Sequence, residues 1–174
     1  NDEDLEYFAK FLAKKGVNMI RYHGKIFSNT NHLDSVNKEE VTDIWRTVAA
    51  MKKEGIYSTI SPFWAGHIDD IPAAWDLGDY QGQDATPWAL MYFEPKFKNA
   101  YKLWVEHLFT EVNPYTGLAL KDDPAVAIIQ IKNEDGVFFW TIQGVKPSLL
   151  ALMESQYYDW LVDKYGTISD AYAA

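Results

Sequence analysis

The segment Gly16-Val-Asn-Met-Ile-Arg-Tyr-His23 connects a predicted helix to a predicted strand with almost no loop between them. Before it, apolar residues recur at the i, i+3, i+4, i+7 spacing of a helix, at Leu5, Phe8, Ala9 and Leu12. Glycine commonly ends a helix, and the residues after Gly16 form a short β-rich run closed by Gly24. We therefore predict a helix that ends at Gly16 and a strand over 17–23.

The same junction recurs at Gly55, where a second predicted helix meets a predicted strand over 56–61. A third strand is predicted over 125–133, which is the longest β-rich run of the chain. Two further helices are predicted from Pro95 and from Pro147, because proline is frequent at the first helical position. The predicted order of elements is therefore α-β-α-β-α-β-α.

Alternation of strands with helices predicts right-handed βαβ units and a parallel sheet. The long connections follow strands, and the longest covers about 64–93, as in a (β/α) barrel with its functional loops at the C-terminal ends of the strands. A doubly wound sheet is the alternative, although no glycine-rich phosphate loop follows a predicted strand. Three strands are too few to close a barrel. We therefore expect residues 1–174 to be part of a single (β/α)-barrel catalytic domain, truncated at both ends.

Composition argues against several classes of function. The chain has 16 basic and 25 acidic residues, and a net charge of -9 disfavours nucleic-acid binding. No apolar run approaches the about 20 residues of a membrane span, so we expect no membrane insertion. Cysteine is absent, which excludes disulfides but leaves the compartment open, and a secreted or periplasmic location is our working expectation. Aromatic residues make up 16% of the chain, a content that suits stacking on flat ligands.

The most informative stretch for function is Asp123-Pro-Ala-Val-Ala-Ile-Ile-Gln-Ile-Lys-Asn-Glu134. In an extended strand Gln130 and Lys132 share the face of Glu134, whereas the other face is apolar, with Ala127, Ile129 and Ile131. We expect helices to cover the apolar face and Glu134 to end the strand, where barrel enzymes place their catalytic groups. The alternative is that Glu134 is simply the first solvated residue after the strand.

Asn133-Glu134 at the end of a strand resembles the acid/base pair of the retaining glycoside hydrolases with a (β/α)8 barrel. That clan contains the family 5 cellulases and mannanases and the family 42 β-galactosidases. Gly16-Val-Asn-Met-Ile-Arg21 is similar to the Gly-x-Asn-x-x-Arg of its second strand. Asn113-Pro-Tyr-Thr-Gly117 and Asp122-Asp-Pro124 resemble the approach to its fourth strand, and Lys164-Tyr-Gly-Thr-Ile168 the segment after its fourth helix. The resemblance implies a partial TIM (β/α)8 barrel that holds roughly strands 2 to 4 with their helices.

The resemblance also implies a role for each matching residue. Glu134 is expected to be the acid/base of a double displacement that hydrolyses O-glycosidic bonds of a poly- or oligosaccharide. Asn133 is expected to hydrogen-bond the sugar 2-hydroxyl. Arg21 is expected to orient the nucleophilic carboxylate, or alternatively to form an ion pair in the barrel interior. The nucleophile of the clan is a glutamate on the seventh strand, so we expect it outside this chain and expect the segment alone to be inactive.

Three further residues are candidates for substrate binding. His23 shares the strand face of Arg21 and is either a substrate contact at the barrel mouth or a structural histidine. Trp64 and Trp140 follow predicted strands closely and are the preferred platforms for stacking on sugar rings. Some aromatic residues of the 64–93 loop are expected to pack it onto the barrel. Other tryptophans lie on helical stripes and are expected in the core, namely Trp45, Trp104 and Trp160.

Other chemistries have weaker support. The family 5 pattern expects a histidine near the end of the third strand, where His67 is a loose candidate. One histidine and two acids in His67-Ile-Asp69-Asp70 are more typical of solvated residues than of a metal site, so we predict neither a metal nor a cofactor. A lyase or aldolase would use Lys132, the lysine within a predicted strand. The main alternative to an enzyme is a non-catalytic carbohydrate-binding barrel. The predicted partners are a carbohydrate substrate and the remaining barrel segment, supplied by the same or another chain.

Overall fold

Three parallel strands form one sheet in the computed structural model, which describes residues 2–68, 70–83 and 85–174. The middle strand β2 (Tyr57–Ser61) lies between β1 (Met19–His23) and β3 (Val126–Ile129). β1 and β2 are in register along their whole length, with Met19 opposite Tyr57 and His23 opposite Ser61. The mixed α/β architecture with a parallel sheet is therefore confirmed.

The third strand is shorter than predicted, since it ends at Ile129 instead of residue 133. Its partner β2 stops before Pro62, which has no N–H to continue the hydrogen-bond ladder. The last bond of the ladder runs from the Gln130 N–H to the Ile60 carbonyl at 2.9 Å. The segment 130–134 is therefore a loop, and its side chains do not alternate between two faces.

Each tight helix-to-strand junction is made by a glycine in the left-handed conformation. α1 (Asp2–Lys14) is followed by Gly16 with φ 78°, and α2 (Lys38–Lys53) by Gly55 with φ 72°. Residues with a Cβ rarely adopt such values. After each glycine the next N–H donates to the carbonyl five positions back, at 3.1 and 3.0 Å. This is a Schellman closure, and it starts the strand directly after the helix.

The two later helices begin at the prolines that the sequence indicates, as α3 (Pro95–Thr110) and α4 (Pro147–Tyr165). Glu94 caps α3, because its carboxylate accepts the Phe97 N–H at 2.6 Å. A short helix, Ile168–Ala173, follows α4. In the described part of the chain no helix has the length and apolar character that crossing a bilayer requires.

The main hydrophobic core lies around Phe63, two residues after β2. Its ring centroid is 5.8 to 5.9 Å from those of four other aromatic residues, Phe27, Phe97, Tyr101 and Trp104. Such edge-to-face and tilted pairs add to the free energy gained from burying apolar surface. Trp45 and Trp104 are buried in this core, as predicted. The core therefore places the end of β2 against α2 and α3.

The segment 64–93 is not the featureless loop that the sequence predicts. It contains an antiparallel ribbon of Asp70–Ile71 with Gly82–Gln83, and a one-turn helix at Leu90–Phe93. Each of these elements is too short to produce a visible hydrophobic period. Trp75 and Tyr80 are buried, which confirms that part of the aromatic content packs this segment onto the core.

Two expectations about burial are wrong. Trp160 is 49% exposed and stacks on Tyr157 at 5.9 Å instead of entering the core, because α4 packs on the Leu90–Phe93 helix through Leu149 and its neighbours. The apolar face predicted for the third strand is not covered either, since Ile129 is 45% and Ile131 65% exposed. The sheet therefore leaves an apolar surface open beside β3.

Candidate active site

Arg21 connects the first strand to the segment after the third. Its Nη2 donates to Asn133 Oδ1 at 2.6 Å and to Gln130 Oε1 at 2.5 Å. The contact is possible because parallel strands present their carboxyl ends at the same edge of a sheet. Two sequence motifs that are 112 residues apart therefore meet at one point.

Gln130 is a member of this site that the sequence analysis did not identify. It accepts from Arg21, and its own Nε2 donates to Asn133 Oδ1 at 3.3 Å. The Oδ1 atom of the buried Asn133 therefore accepts hydrogen bonds from both Arg21 and Gln130. The sequence placed Gln130 on the same predicted strand face as Glu134. This indicated the direction of its side chain but not its hydrogen-bond partners.

Glu134 lies at this edge with its side chain exposed, between the buried residues Asn133 and Asp135. Its φ is 43°, in the left-handed region, which an L-residue with a side chain seldom occupies. Such backbone strain costs about 1 to 3 kcal/mol and concentrates at functional sites. The backbone here turns so that Glu134 points to solvent while both of its neighbours point inward.

His23, the last residue of β1, shares the electrostatic environment of Glu134 and Arg21. Partial burial lowers the pKa of His23, the positive charge of Arg21 lowers it further, and the negative charge of Glu134 opposes both effects. The neutral imidazole is therefore favoured, and it has one donor and one acceptor nitrogen. The side chain is exposed and available to a polar ligand.

Lys132 does not share the exposed face of Glu134, which corrects the strand-face assignment. Its side chain is 3% exposed, forms an ion pair with Asp135 and lies over the rings of Phe63 and Tyr92, at 5.3 and 4.8 Å. Burial lowers the pKa of this lysine, although the charge of Asp135 opposes the shift. A Schiff-base lysine must reach the substrate carbonyl. A lyase or aldolase mechanism through Lys132 is thus disfavoured.

Asp135 is a second residue that the sequence analysis missed. Both of its carboxylate oxygens accept the Ala89 N–H, at 3.1 and 3.2 Å, and its carbonyl accepts the Tyr92 hydroxyl at 2.9 Å. These contacts join the 64–93 segment to the loop that carries Glu134. The opposite charges at Lys132 and Asp135, three residues apart, were the available signal.

The two tryptophans predicted as stacking platforms occupy different environments. Trp64 is half-buried and packs edge-on against the His67 ring at 5.1 Å. Trp140 is 39% exposed and makes an edge-to-face pair with Trp88, with ring centroids 4.5 Å apart. Trp140 therefore presents the more open aromatic surface, and Trp88 supports it.

Other motif residues have structural contacts. Asn113 is buried and donates through Nδ2 to the Trp45 carbonyl at 3.0 Å. Asp123 is buried, pairs with Lys52 at 3.0 Å and accepts the Ala125 N–H at the start of β3. Both residues lie before β3 and so away from the edge that carries Glu134. These contacts give both residues a structural role, which explains the motif without a catalytic function.

The hypothesis of a metal at His67, Asp69 and Asp70 receives no support from the positions that the structure gives. Asp69 lies outside the described residues. Among the described ones, no three histidine, aspartate or glutamate side chains are grouped as a metal site requires. Burial and the positive charge of Lys25 lower the pKa of His67, so its neutral form is favoured.

Comparison with known proteins agrees with the fold. One similar solved structure is the crystal structure of a glycoside hydrolase family 5 mannosidase from Rhizomucor miehei, with a TM-score of 0.50 and 18% sequence identity. The match covers 75% of this chain and 38% of that one, so the chain spans well under half the length of the mannosidase. No protein-family model matches the chain, and no curated protein is significantly similar to it. At this identity the likeness concerns the fold alone: most of this chain has a fold similar to part of that structure.

Proposed function

We propose that this chain is a segment of a retaining glycoside hydrolase, holding roughly strands 2 to 4 of a (β/α)8 barrel. β1, β2 and β3 would be those three strands, and residues 1–174 part of one catalytic domain. Glu134 is the acid/base, Asn133 and His23 contact the sugar, Arg21 orients the nucleophile, and Trp64 and Trp140 are stacking platforms. The nucleophile lies outside this chain.

The observation that carries the proposal is the contact of Arg21 with Asn133 directly beside Glu134. This contact brings two distant polar residues together beside an exposed, strained glutamate at the carboxyl edge of a parallel sheet. Active sites of (β/α) barrels are built at that edge from the loops that follow the strands. The three residues are also those that match the motifs of the clan, and the motif spacing did not require them to touch.

The reaction assigns two proton transfers to Glu134. First, its acid form donates a proton to the glycosidic oxygen while the bond to the anomeric carbon breaks and the external carboxylate forms a glycosyl ester. Then Glu134, now a carboxylate, removes a proton from water as the water oxygen attacks the anomeric carbon and the ester bond breaks. A hydrogen bond from Asn133 to the sugar 2-hydroxyl strengthens as positive charge develops on the ring.

The open surface of the chain supports its place in a larger barrel. The accessible surface is 10018 Å², whereas a folded monomer of about 20 kDa exposes about 8,700 Å². Part of the excess is apolar and lies beside the unpaired edge of β3, at Ile129 and Ile131. Further strands that continue the sheet would pair this edge and enclose Glu134, which an acid catalyst requires.

The first experiment uses the chain as it is. Double displacement needs two carboxyl groups about 5 to 5.5 Å apart, and the second is assigned outside this chain. We therefore expect no turnover of aryl β-glycosides by the 174-residue chain. Clear turnover that disappears in Glu134→Gln would show that a second catalytic carboxylate lies within these residues.

The second experiment tests the role of Glu134 in the complete barrel. Loss of a general acid costs about 10²- to 10⁴-fold in rate. A dinitrophenolate leaving group departs without protonation, so Glu134→Ala is expected to form the glycosyl-enzyme from it but to be nearly inert on natural sugars. Azide should restore turnover of the activated substrate. Arg21→Ala should slow both substrate types, and Glu154→Ala, an exposed helical glutamate, should slow neither. Equal loss on both substrates without azide rescue would disprove the acid/base role.

A non-catalytic carbohydrate-binding barrel is the second candidate, and the exposed Trp140 ring is the observation in its favour. A binding protein and an enzyme both lose affinity for oligosaccharides in Trp140→Ala. Turnover by the complete barrel separates them, because a binding protein gives none with any glycoside. Absence of a glutamate at the end of the seventh strand would favour the binding protein.

A further inference from the structure

Asp135 is the point where two separate segments with unusual backbones meet. Glu134, directly before it, has φ 43°, and Ala89, whose N–H it accepts, has φ 63°. Both are residues with a Cβ in the left-handed region, which persists only when the surrounding structure enforces it. The carboxylate of Asp135 accepts the N–H of Ala89, and Asp135 directly follows Glu134 in the chain.

The contacts of Asp135 involve its carboxylate and its carbonyl oxygen. The carboxylate pairs with the buried Lys132 ammonium and accepts the Ala89 N–H, and the carbonyl accepts the Tyr92 hydroxyl at 2.9 Å. The Asp135 side chain is fully buried. A buried carboxylate with these partners has one strongly preferred position, because moving it would leave a charge and an N–H without a partner.

Ala89 links this position to the aromatic surface. Trp88 precedes it and makes the edge-to-face pair with Trp140. The Trp88 carbonyl is in turn held by the Tyr80 hydroxyl at 3.3 Å. The acid and the stacking surface are thus connected to the same buried carboxylate, through the Glu134–Asp135 peptide on one side and the Ala89 N–H on the other.

We propose that Asp135 is a positioning residue that holds Glu134 and the Trp88–Trp140 pair in one fixed arrangement. This inference rests on the proposed function, since it has the two parts act on one linkage: the aromatic pair stacks on a sugar of an oligosaccharide while Glu134 protonates the adjacent glycosidic oxygen. A substrate of at least two sugars would benefit, whereas a small aryl glycoside would not use the aromatic pair.

The chain contains a matched control for this inference. Asp123 is likewise buried, pairs with a lysine and accepts a backbone N–H, but it lies before β3 instead of after it. Its loss removes the same kinds of interaction without touching Glu134 or Trp88. Asp123→Ala therefore measures what the loss of a buried, paired carboxylate does to the fold alone.

Two spectroscopic signals report the arrangement without requiring turnover. Among the described residues Trp88 and Trp140 form the one pair of tryptophan rings in contact, so an exciton couplet in the far-ultraviolet CD is assigned to them. Backbone chemical shifts of Glu134 distinguish the left-handed from the right-handed region. We expect Asp135→Ala to lose the couplet and to shift Glu134 out of the left-handed region, and Asp123→Ala to retain both. The thermal midpoint of Asp135→Ala should be the lower of the two, because it leaves the buried Lys132 ammonium unpaired, whereas Lys52 is 33% exposed.

Conservative variants keep the test decisive if Asp135→Ala does not fold. Asp135→Asn retains an acceptor for the Ala89 N–H and should restore part of both signals. Tyr92→Phe removes a single hydroxyl contact and should shift Glu134 resonances while the chain stays folded. Unchanged signals in Tyr92→Phe and in Asp135→Asn, or equal losses in Asp123→Ala, would overturn the positioning role.

Kinetics of the complete barrel separate this inference from the proposed function. If Asp135 positions the two parts, Asp135→Asn lowers kcat/KM for an oligosaccharide more than for a small aryl glycoside. An equal loss on both substrates would overturn the inference but leave the glycosidase proposal intact. The proposal itself fails when Glu134→Ala has no effect on either substrate.

Discussion

The guanidinium of Arg21, on β1, donates to the side-chain oxygen of Asn133 at 2.6 Å, although Asn133 lies in the loop after β3, a strand that is not a neighbour of β1. β2 separates β1 from β3, so the contact crosses two inter-strand spacings of about 4.8 Å each. An arginine is long enough to do this, and the two N–H groups of its Nη2 let the same nitrogen also donate to Gln130 Oε1. The Arg21 side chain therefore links β1 to the loop after β3, next to the proposed acid Glu134.

Titration of His23 tests whether Glu134 faces the site. The negative charge of Glu134 raises the pKa of His23, whereas the charge of Arg21 lowers it. We expect Glu134→Gln to lower the pKa of His23 further and Arg21→Met to raise it, as followed by the imidazole resonances in NMR. His107, whose imidazole pairs with Glu111 at 2.6 Å, is the control.

The same shift predicts how stability depends on pH. Since the folded-state pKa of His23 lies below the ordinary value of 6.5, the unfolded chain binds more protons in that window. The contribution of His23 to stability is complete above about pH 6.5 and is lost as the pH falls through its folded-state pKa. Urea unfolding at several pH values checks this, and a smaller pH dependence in His23→Gln would assign that part to His23, since the lowered pKa of His67 contributes in the same direction. In the NMR titration described above, a pKa of His23 that Glu134→Gln leaves unchanged would show that these two side chains do not interact.

Replacing the strained glutamate should stabilise the fold while removing function. Glu134 has φ 43° and an exposed side chain, so Glu134→Gly relieves the strain without creating a cavity. We expect the free energy of unfolding to rise by about 1 kcal/mol. Glu154→Gly, at an exposed position within α4, should lower it by about 1 kcal/mol. A lower free energy of unfolding in both variants would mean that the Glu134 side chain makes stabilising contacts.

Two adjacent lysines should differ sharply in their effect on stability. Lys52 pairs with the buried Asp123, whereas Lys53 pairs with the solvent-accessible Glu6. Lys52→Met leaves a buried carboxylate without its partner and should cost about 3 kcal/mol in urea unfolding. Lys53→Met should have no measurable effect, because exposed ion pairs contribute little. Similar losses in both variants would show that burial of Asp123 does not decide the energetics.

A pair of glycines tests the placement of the aromatic surface. A Cβ added at Gly144 would lie 2.7 Å from Trp88 Cδ1, too close without movement of the ring. The same atom at Gly136 would meet nothing nearer than Phe139 Cβ at 3.9 Å. Gly144→Ala should therefore displace Trp88, remove the Trp88–Trp140 exciton couplet and cost about 1 to 3 kcal/mol. Gly136→Ala should retain the couplet, and its retention in Gly144→Ala would contradict this geometry.

Helical periodicity predicted which residues share a face but not which face is covered. Trp160 lies on the predicted stripe of α4, yet it is exposed, because the helix turns Leu149 toward the core. The face assignment of Lys132 failed for a related reason. Strand alternation holds only while a partner strand continues, and β2 stops before Pro62. Beyond that point Phe63 and Tyr92, from other parts of the chain, decide that Lys132 is buried.

The sequence by itself determined the local events: where helices end, where strands begin and that the strands are parallel. Gly16 and Gly55 set the first two helix-to-strand junctions, since the left-handed turn that each makes depends on a few adjacent residues. The alternation of strands with helices predicts the parallel orientation. Tertiary structure alone decided that Arg21 touches Asn133 and that Asp135 joins Ala89 to the loop of Glu134. These contacts span 46 to 112 residues, and they form because packing of the sheet and the aromatic core brings distant segments to one edge.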